Sequence, residues 1–489
     1  MIPRPHVDWF ALAPVNSLLA ASALALLCAV LAPRSSRKVV TATLCGLGYA
    51  TAIGFAIALY VKSANGHGVV VDAFRRDRLT ELTTIILAGS GLLATAISYR
   101  ERWREDHIGE YYALVAAVGA GMLFFVGANN LMTLFLGLEW FSIGLYILCA
   151  IDRDRLPGLE AGLKYLIIGG FGSAVLLFGS ALVYGATGAI DFAGISAAGR
   201  EHDALLVFGL AMIIAGLAFK ASAAPFHMWT PDVYEGAPTP LTAFMAAATK
   251  AAALVVMLRI LVTAFPADAY IWTRALAVIA VASLVIGNLA ALVQKSVKRM
   301  LAYSSVSHAG FMLIAIASNS SLGGEALLFY LIPYAAMSLG SFGVVAARER
   351  ELGVPVTFEN MAGFGWERPL LGISMWAFML GFAGFPLTGG FVGKFYVFAA
   401  AYEHGWTWLV IVGVLATLVS LYYYLGLVRA MFMRRTEDLQ LAPIGGSPPR
   451  EALLHSAVVV CLAVTVGSFF AVQPLIDLAQ HAVNALPGL

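Results

Sequence analysis

Four ionisable side chains stand inside otherwise apolar stretches of the sequence: Lys220, Lys250, Lys394 and Glu139. A charge at the centre of a lipid bilayer costs about 2.5–3.5 kcal/mol on insertion scales, so such residues are rare unless they have a function. Burial disfavours the ammonium form of lysine and a nearby carboxylate favours it, so a buried lysine can gain and lose protons near neutral pH. This set of residues therefore predicts a path that moves protons through a membrane.

Three further residues are weaker candidates for the same path. Lys164 is one helical turn into its apolar stretch, so its amine can either join the relay or reach towards the interface. His308 follows the hydroxyl-rich segment 303–307, and a histidine there either relays protons or packs with its ring nitrogens satisfied. His227 is expected at the cytoplasmic end of an interrupted helix, where a structural role is the simpler interpretation.

The buried basic residues are mostly lysines, which suits a proton relay because arginine stays charged. Arg259 and Arg429 lie nearer the ends of their apolar stretches, and we expect both side chains to extend towards the interface. A purely structural alternative remains for every buried charge, namely an ion pair that only fixes helix packing.

The composition indicates the elements that must position these residues. The chain has 489 residues, of which 60% are hydrophobic and only 12% charged, and its mean hydropathy is +0.85. Soluble domains carry about 25% charged residues, and apolar runs long enough to cross the bilayer recur along the whole sequence. We therefore predict an all-α polytopic membrane protein with about 14 transmembrane helices and no soluble domain. No basic patch suggests nucleic-acid binding, and lipids are the expected surroundings.

Two predicted spans are interrupted by proline, the seventh at Pro225 and the twelfth at Pro386. Proline has no N–H to donate, so these residues free the carbonyls of Ala221 and Phe382. Freed carbonyls survive at membrane depth only where protein encloses them or a wet cavity reaches them. A pair of interrupted helices suggests inverted repeats around a site at the middle of the membrane.

The spacing of the interruptions predicts two inverted five-helix repeats, helices 4–8 and 9–13, with helices 7 and 12 broken. The resulting division has four parts: an N-terminal three-helix segment at 1–109, a first repeat at 110–265, a second repeat at 266–432, and a C-terminal loop and helix at 433–489. Basic residues concentrate in the loops after odd-numbered spans, so both termini are expected outside the cell membrane. The cysteines all fall in apolar spans and predict neither an iron–sulfur cluster nor disulfides.

Three segments carry a resemblance to a known family: FKASAAPFHMWTPDVYEGAPTP at 219–240, QKSVKRMLAYSSVSHAG at 294–310, and GFPLTGGFVGK at 384–394. Together they closely resemble the antiporter-like membrane subunits of respiratory complex I, most of all the N-type subunits. The M-type subunits have a glutamate where Lys394 stands, and the L-type subunits continue into a long lateral helix. The Mrp-type cation/proton antiporter subunits share the fold and are the alternative.

The resemblance implies roles for individual residues. Glu139 matches a modulating glutamate on the fifth helix, Lys220 a protonatable lysine on the broken seventh helix, Lys250 a connecting lysine and Lys394 an exit-side lysine, while His308 matches a less uniform polar position. It also implies a proton-translocating subunit of a bacterial inner-membrane enzyme, next to M-type and K-type neighbours. The chain itself is expected to bind no cofactor and no metal; NADH, FMN, iron–sulfur clusters and quinone are expected elsewhere in the complex.

Overall fold

The computed structural model describes residues 7–62, 66–70, 72–101, 107–199, 203–434, 451–484, 486 and 488. Residues 435–450, most of the loop predicted near the C-terminus, lie outside the described residues. The described residues are mostly helical. The helices are α1 Ala13–Leu31, α2 Arg34–Lys62, α3 Arg78–Ser98, α4 Ile108–Val126, α5 Leu131–Cys149, α6 Leu156–Thr187, α7 Phe192–Ala197, α8 Ala204–Lys220, α9 Trp229–Gly236, α10 Thr239–Phe244, α11 Lys250–Ala264, α12 Ala269–Leu292, α13 Val297–Ala317, α14 Ser321–Leu352, α15 Phe364–Glu367, α16 Pro369–Ala383, α17 Gly389–Glu403, α18 Thr407–Met433, α19 Ala452–Phe470 and α20 Val472–Val483.

The helices confirm the predicted class of protein. In the part of the chain that the structure describes, 12 helices are long and apolar enough to cross a membrane, counting α10 to α11 as one. Two shorter apolar helices, α8 and α16, coincide with the spans predicted to be broken. The count of fourteen spans, the inverted symmetry of the repeats and the four-part division remain predictions.

Both predicted interruptions are present. Helix α8 ends at Lys220 and the helical path resumes at α9, after residues 221–228. Helix α16 ends at Ala383, followed by Gly384 with a positive φ of 77°, a conformation that glycine adopts without strain. Helix α17 begins five residues later, where the Thr388 side chain accepts a hydrogen bond from the backbone N–H of Phe391.

The core lies along α10–α11, α13 and α14. The most apolar window of α10–α11 is 100% buried and those of α13 and α14 are each 94% buried, against 28% for α1 and 33% for α2. The outer helices therefore present most of their side chains to the surroundings, which for apolar helices means lipid. A π-helical turn, Met245–Thr249, interrupts this central region just before α11; such turns are frequent at functional sites.

Outside the helices, the part of the chain that the structure describes has a short hairpin that pairs β1 His67–Val69 with β2 Phe74–Arg76. Asp77 follows β2 directly, and its side chain caps α3 by accepting from the backbone N–H of Thr80. Asp77 is fully buried and also receives two hydrogen bonds of 2.8 Å each from Arg259 of α11. Arg259 is only 1% exposed, so the expectation that this arginine extends to the interface is wrong.

The physical reason is the partner, which lies 182 residues away in the sequence. A guanidinium that meets a carboxylate in this two-pronged geometry is neutralised where it stands and need not reach water. Burial by itself raises the pKa of the Asp77 carboxyl, but the charge of Arg259 and hydrogen bonds from it and from Thr80 outweigh burial and lower that pKa. The pair therefore fixes α3 against α11 as a permanent charge pair.

Replacing Arg259 with methionine should lower the thermal stability of the purified protein. The change leaves a buried carboxylate without its main partner, which costs about 3–5 kcal/mol. The double variant Asp77→Asn/Arg259→Met should regain much of that loss, because asparagine still caps α3 and carries no charge. Thermal unfolding of detergent-solubilised variants measures both; equal losses in the single and double variants would contradict the assigned ion pair.

Candidate functional site

Lys220 is held among aromatic rings at the end of α8. It is 1% exposed, and its amine donates a hydrogen bond of 3.2 Å to the hydroxyl of Tyr165. Its nitrogen also lies 4.9 Å from the ring centre of Phe141, 5.0 Å from that of Tyr165 and 5.7 Å from that of Tyr146. Ring faces attract an ammonium group without neutralising it. This lysine is therefore enclosed, and no carboxylate of the described residues forms an ion pair with its amine.

Glu139 lies beside this enclosure on α5, two residues before Phe141. Within the described residues, no ion pair within 4.0 Å joins it to Lys220, but its charge acts on that lysine electrostatically. Its Oε1 atom is buried and meets no hydrogen-bond partner among the described protein atoms. A nearby carboxylate that is not in contact with an amine favours its ammonium form without holding it in a permanent ion pair. This arrangement fits the modulating role predicted for Glu139.

The interruption after Lys220 is held by specific side chains. The Trp229 indole donates to the carbonyl of Phe219 at 3.0 Å, and the Ser283 hydroxyl of α12 accepts from the backbone N–H of Ala224 at 2.8 Å. The Trp229 ring also stacks on Tyr165, with centres 4.5 Å apart and planes 8° apart. Backbone groups that a broken helix leaves open are thus satisfied inside the protein, as a membrane requires.

Lys250 stands at the start of α11, directly after the π-helical turn, and is completely buried. Its amine donates to the backbone carbonyl and to the hydroxyl of Ser305. The same hydroxyl lies 2.9 Å from the hydroxyl of Tyr334 on α14. Lys250 is thereby connected to both α13 and α14 through groups that can donate and accept protons.

His308 of α13 lies beside this network, with its ring centre 5.4 Å from that of Tyr334. Its Nδ1 lies 2.7 Å from the hydroxyl of Tyr330 and its Nε2 lies 3.1 Å from that of Tyr424 on α18. The Tyr424 hydroxyl in turn bonds to Ser304. A neutral imidazole has one donor and one acceptor nitrogen, so His308 can pass a proton from one tyrosine side to the other.

A gap between α13 and α14 beside these residues is too narrow to hold a water molecule. Its hydroxyl-bearing walls come from both helices, while Leu301, Phe342 and Phe382 supply apolar contacts. The polar residues are Ser304, Ser305, Tyr334, Ser338 and Ser341. Hydroxyl groups therefore line the gap between the two helices next to Lys250 and His308.

Lys394 lies at the other interruption, on α17, and is 4% exposed. Its amine donates to the carbonyl of Phe382 at 2.8 Å and to that of Ala383 at 3.4 Å. The prediction that Pro386 frees the Phe382 carbonyl for a new partner is confirmed, and the partner is the lysine itself. The amine also lies 4.4 Å from the ring centre of Phe311.

Lys164 is not part of this buried network. Its side chain is 39% exposed and forms ion pairs of 2.8 Å with Glu160 and with Asp232. Arg299 also bonds to Asp232 at 2.8 Å. Burial raises the pKa of Asp232, but the hydrogen bonds and charges of Lys164 and Arg299 outweigh it and lower that pKa. The structure therefore brings Lys164 into a half-exposed ion cluster rather than onto the axis.

His227 also stands apart from the central tyrosines that surround His308. It is half-buried, its ring centre lies 6.4 Å from that of Tyr303, and its Nδ1 has no hydrogen-bond partner among the described protein atoms. Among the described residues, no group of three or more His, Cys, Asp or Glu side chains could hold a metal ion.

Sequence reasoning missed the tyrosines that bond to His308 and to Ser305. Tyr330 and Tyr334 stand one helical turn apart on α14, on either side of Pro333, and Tyr424 belongs to a run of three tyrosines in α18. Buried tyrosine needs a partner for its hydroxyl, so tyrosines inside apolar spans were an available signal. What the sequence does not contain is the distance between helices that makes them neighbours of His308.

Comparison with known proteins identifies the family. Residues 128–420 match the family model described as NADH:quinone oxidoreductase/Mrp antiporter, TM. The chain is 42% identical over 398 residues to NADH-quinone oxidoreductase subunit N of Trichlorobacter lovleyi, covering 80% of each protein. It is 36% identical over 538 residues to the subunit N of Mycobacterium bovis, covering 99% of this chain and 100% of the relative.

Solved structures agree with this relationship. A chain of respiratory complex I from Thermus thermophilus superposes with a TM-score of 0.80 at 32% identity, covering 96% of this chain and 99% of that one. A chain of the Mrp complex from Dietzia sp. DQ12-45-1b gives a TM-score of 0.85 at 22% identity, covering 97% of each chain, which shows a shared fold alone. The chain therefore belongs to the NADH:quinone oxidoreductase/Mrp antiporter family of membrane proteins, and within it to the N-type subunits of NADH-quinone oxidoreductase.

Proposed function

We propose that this chain translocates protons as a membrane-arm subunit of NADH-quinone oxidoreductase, with Lys220, Lys250, His308 and Lys394 as the relay and Glu139 as its modulator. The observation that carries the proposal is the buried network in which Lys250 bonds to Ser305 and His308 bonds to tyrosines on two other helices. Such a network costs desolvation, and every member is a group that can both release and accept a proton or hold one in place.

The chain contributes no redox chemistry in this proposal. NADH, FMN, iron–sulfur clusters and quinone belong to other subunits, and quinone reduction there changes the charge felt along the buried axis. Lys220 and Lys394 then exchange protons because each amine stands at a helix interruption and is held by neutral groups, the Tyr165 hydroxyl and the Phe382 carbonyl, rather than by a carboxylate. The Mrp-type alternative finds support in the shared family model and in a fold likeness at 22% identity, and neither of them specifies the coupled reaction.

Lys164 is assigned a secondary role at the rim of the relay. Its ion cluster with Asp232 and Glu160 is half-exposed, so protons there exchange with the surroundings rather than with the axis. We further propose that the chain lies in the bacterial plasma membrane with both termini on the periplasmic side, between M-type and K-type neighbours. The distribution of basic residues between loops supports that orientation.

Lys220→Ala should lower proton pumping by at least about tenfold, a barrier change of about 1.4 kcal/mol, and lower coupled quinone reductase activity while the complex still assembles. The reason is the loss of the amine that lies in the aromatic enclosure. Pumping by the purified complex in liposomes measures it, with native gel electrophoresis for assembly. Lys62→Ala, at an exposed helix end, is the control. Normal pumping by a fully assembled Lys220→Ala complex would refute the relay.

Lys164→Ala is expected to lower proton pumping less than Lys220→Ala does.

Lys394→Arg should separate the structural role of this lysine from its protonic role. Arginine still donates to the carbonyls of Phe382 and Ala383 but does not release its proton. We therefore expect near-normal thermal stability with strongly reduced pumping, whereas Lys394→Ala should lower both. An arginine variant that pumps like the unmodified protein would show that Lys394 only closes the helix interruption.

Glu139→Gln should shift the pH dependence of pumping. The variant keeps the size of the side chain and removes the negative charge that favours the ammonium form of Lys220. The alkaline limb of the pH profile should therefore move to lower pH. A pH profile of NADH-driven pumping tests this, and a profile that superposes on that of the unmodified complex would leave Glu139 a merely structural carboxylate.

A further inference from the structure

A buried amide joins three helices beside His308. The Asn288 side chain of α12 is 2% exposed, and its Nδ2 atom donates a hydrogen bond of 3.0 Å to the hydroxyl of Ser307 on α13. Its Oδ1 atom accepts a hydrogen bond of 2.8 Å from the hydroxyl of Tyr423 on α18. Burying an amide in an apolar bundle is costly unless its groups are paired. This amide bridge, formed by Asn288, Ser307 and Tyr423, therefore ties α12 to both of the other helices.

The hydrogen bonds of the amide bridge have a fixed direction. The Asn288 amide nitrogen also donates to the backbone carbonyl of Leu284 at 2.8 Å, and a carbonyl can only accept. The amide oxygen must therefore face Tyr423, and the single proton of the tyrosine hydroxyl is committed to it. Tyr423 cannot turn its hydroxyl away without leaving a buried amide oxygen unpaired, which is unfavourable.

The two ends of the amide bridge adjoin the two partners of one contact in the relay. Ser307 directly precedes His308, and Tyr423 directly precedes Tyr424, whose hydroxyl lies 3.1 Å from His308 Nε2. The rings of the two tyrosines are in contact, with centres 4.4 Å apart and planes 59° apart. A shift of Tyr423 therefore displaces Tyr424 as well, and with it the hydroxyl that meets the imidazole.

Helices α12 and α13 approach each other closely at the amide bridge. At Gly287, the neighbour of Asn288, an added Cβ atom would come within 2.7 Å of the backbone nitrogen of Ser307 and 3.0 Å of the carbonyl oxygen of Tyr303. Glycine allows this approach because it has no Cβ atom. Since α12 and α13 form a closely packed pair, the bond from Tyr423 attaches α18 to that pair next to His308.

We infer that Asn288 is a positioning residue of the relay, which keeps the Tyr424 hydroxyl within hydrogen-bond distance of His308 by way of Tyr423 and Ser307. This inference rests on the proposed function and adds a requirement to it. Asn288 itself neither releases nor takes up a proton, because its amide is not a titratable group. It acts by holding the distance over which His308 and Tyr424 exchange one.

Asn288→Leu and Tyr423→Phe each break the amide bridge while keeping a side chain of similar size. Each should slow NADH-driven proton pumping in liposomes by about tenfold, because small displacements of reacting groups lower rates strongly. Native gel electrophoresis checks that the complex still assembles. Normal pumping by both fully assembled variants would overturn the inference.

A double-mutant cycle with Tyr424→Phe separates positioning from a merely structural role. Tyr424→Phe removes the hydroxyl that Asn288 is inferred to hold in place, and it should itself slow pumping by about tenfold. Adding Asn288→Leu should then slow pumping little further, because both changes disable the same contact. Losses that multiply to about a hundredfold would show that Asn288 acts on general packing alone, and the positioning role would fail.

Thr273→Val and Tyr49→Phe are the matched controls. Thr273 is also buried on α12, but its hydroxyl bonds to the carbonyl of Ala269 in its own helix. Tyr49 is fully buried, and its hydroxyl bonds to the carbonyl of Val115. Both variants should pump normally. A tenfold loss in both would show that removing any buried hydrogen bond slows pumping, and the assignment of Asn288 would fall.

The same measurements distinguish this inference from the proposed function. If Lys220→Ala lowers pumping while Asn288→Leu and Tyr423→Phe pump normally, the positioning role is refuted and the relay stands. If Tyr424→Phe pumps normally, the inference also fails, since the contact with His308 then carries no proton. If Lys220→Ala pumps normally, the proposed function fails. Should Asn288→Leu not assemble, Tyr423→Phe takes its place in the cycle and decides alone.

Discussion

The cost of keeping an amine inside a bundle of apolar helices governs the arrangement of this protein. A lysine that is neither paired with a carboxylate nor exposed to water must draw its stabilisation from weaker partners. Here those partners are ring faces around Lys220, a serine carbonyl and hydroxyl at Lys250, and the open carbonyls of an interrupted helix at Lys394. Each of them tolerates the charged and the neutral amine more evenly than a carboxylate in contact would.

Arg259 differs from the buried lysines in the kind of partner that it contacts. Arg259 is as deeply buried as the lysines, yet it receives a full carboxylate in two-pronged contact. Such a pair locks the charge in place. The protein therefore treats its buried cations in two ways: the arginine is neutralised and serves packing, while the lysines of the axis are left without a carboxylate in contact.

Much of the site was predictable because its signals are local in the sequence. Lysine inside an apolar span, and proline a few residues from it, predict Lys220 and Lys394 together with the interruptions beside them. The long apolar runs predict the helical membrane fold in the same way. The Arg259 prediction failed because its partner, Asp77, lies in a distant loop, and hydropathy along one helix says nothing about what packs against it. The tyrosines around His308 were missed for the same reason, since their hydroxyls matter only through distances between α13, α14 and α18.

The clamp between Arg259 and Asp77 also limits how the central helix can move. Arg259 stands nine residues after Lys250 on α11, about 13.5 Å along the axis at 1.5 Å per residue. A shift of α11 along its axis by one turn, about 5.4 Å, would separate the guanidinium from its carboxylate and leave both buried charges without a partner. Coupling between distant parts of the relay must then proceed by rearrangement of hydrogen bonds and rotation of side chains. It does not proceed by movement of α11, the helix that carries Lys250, along its own axis.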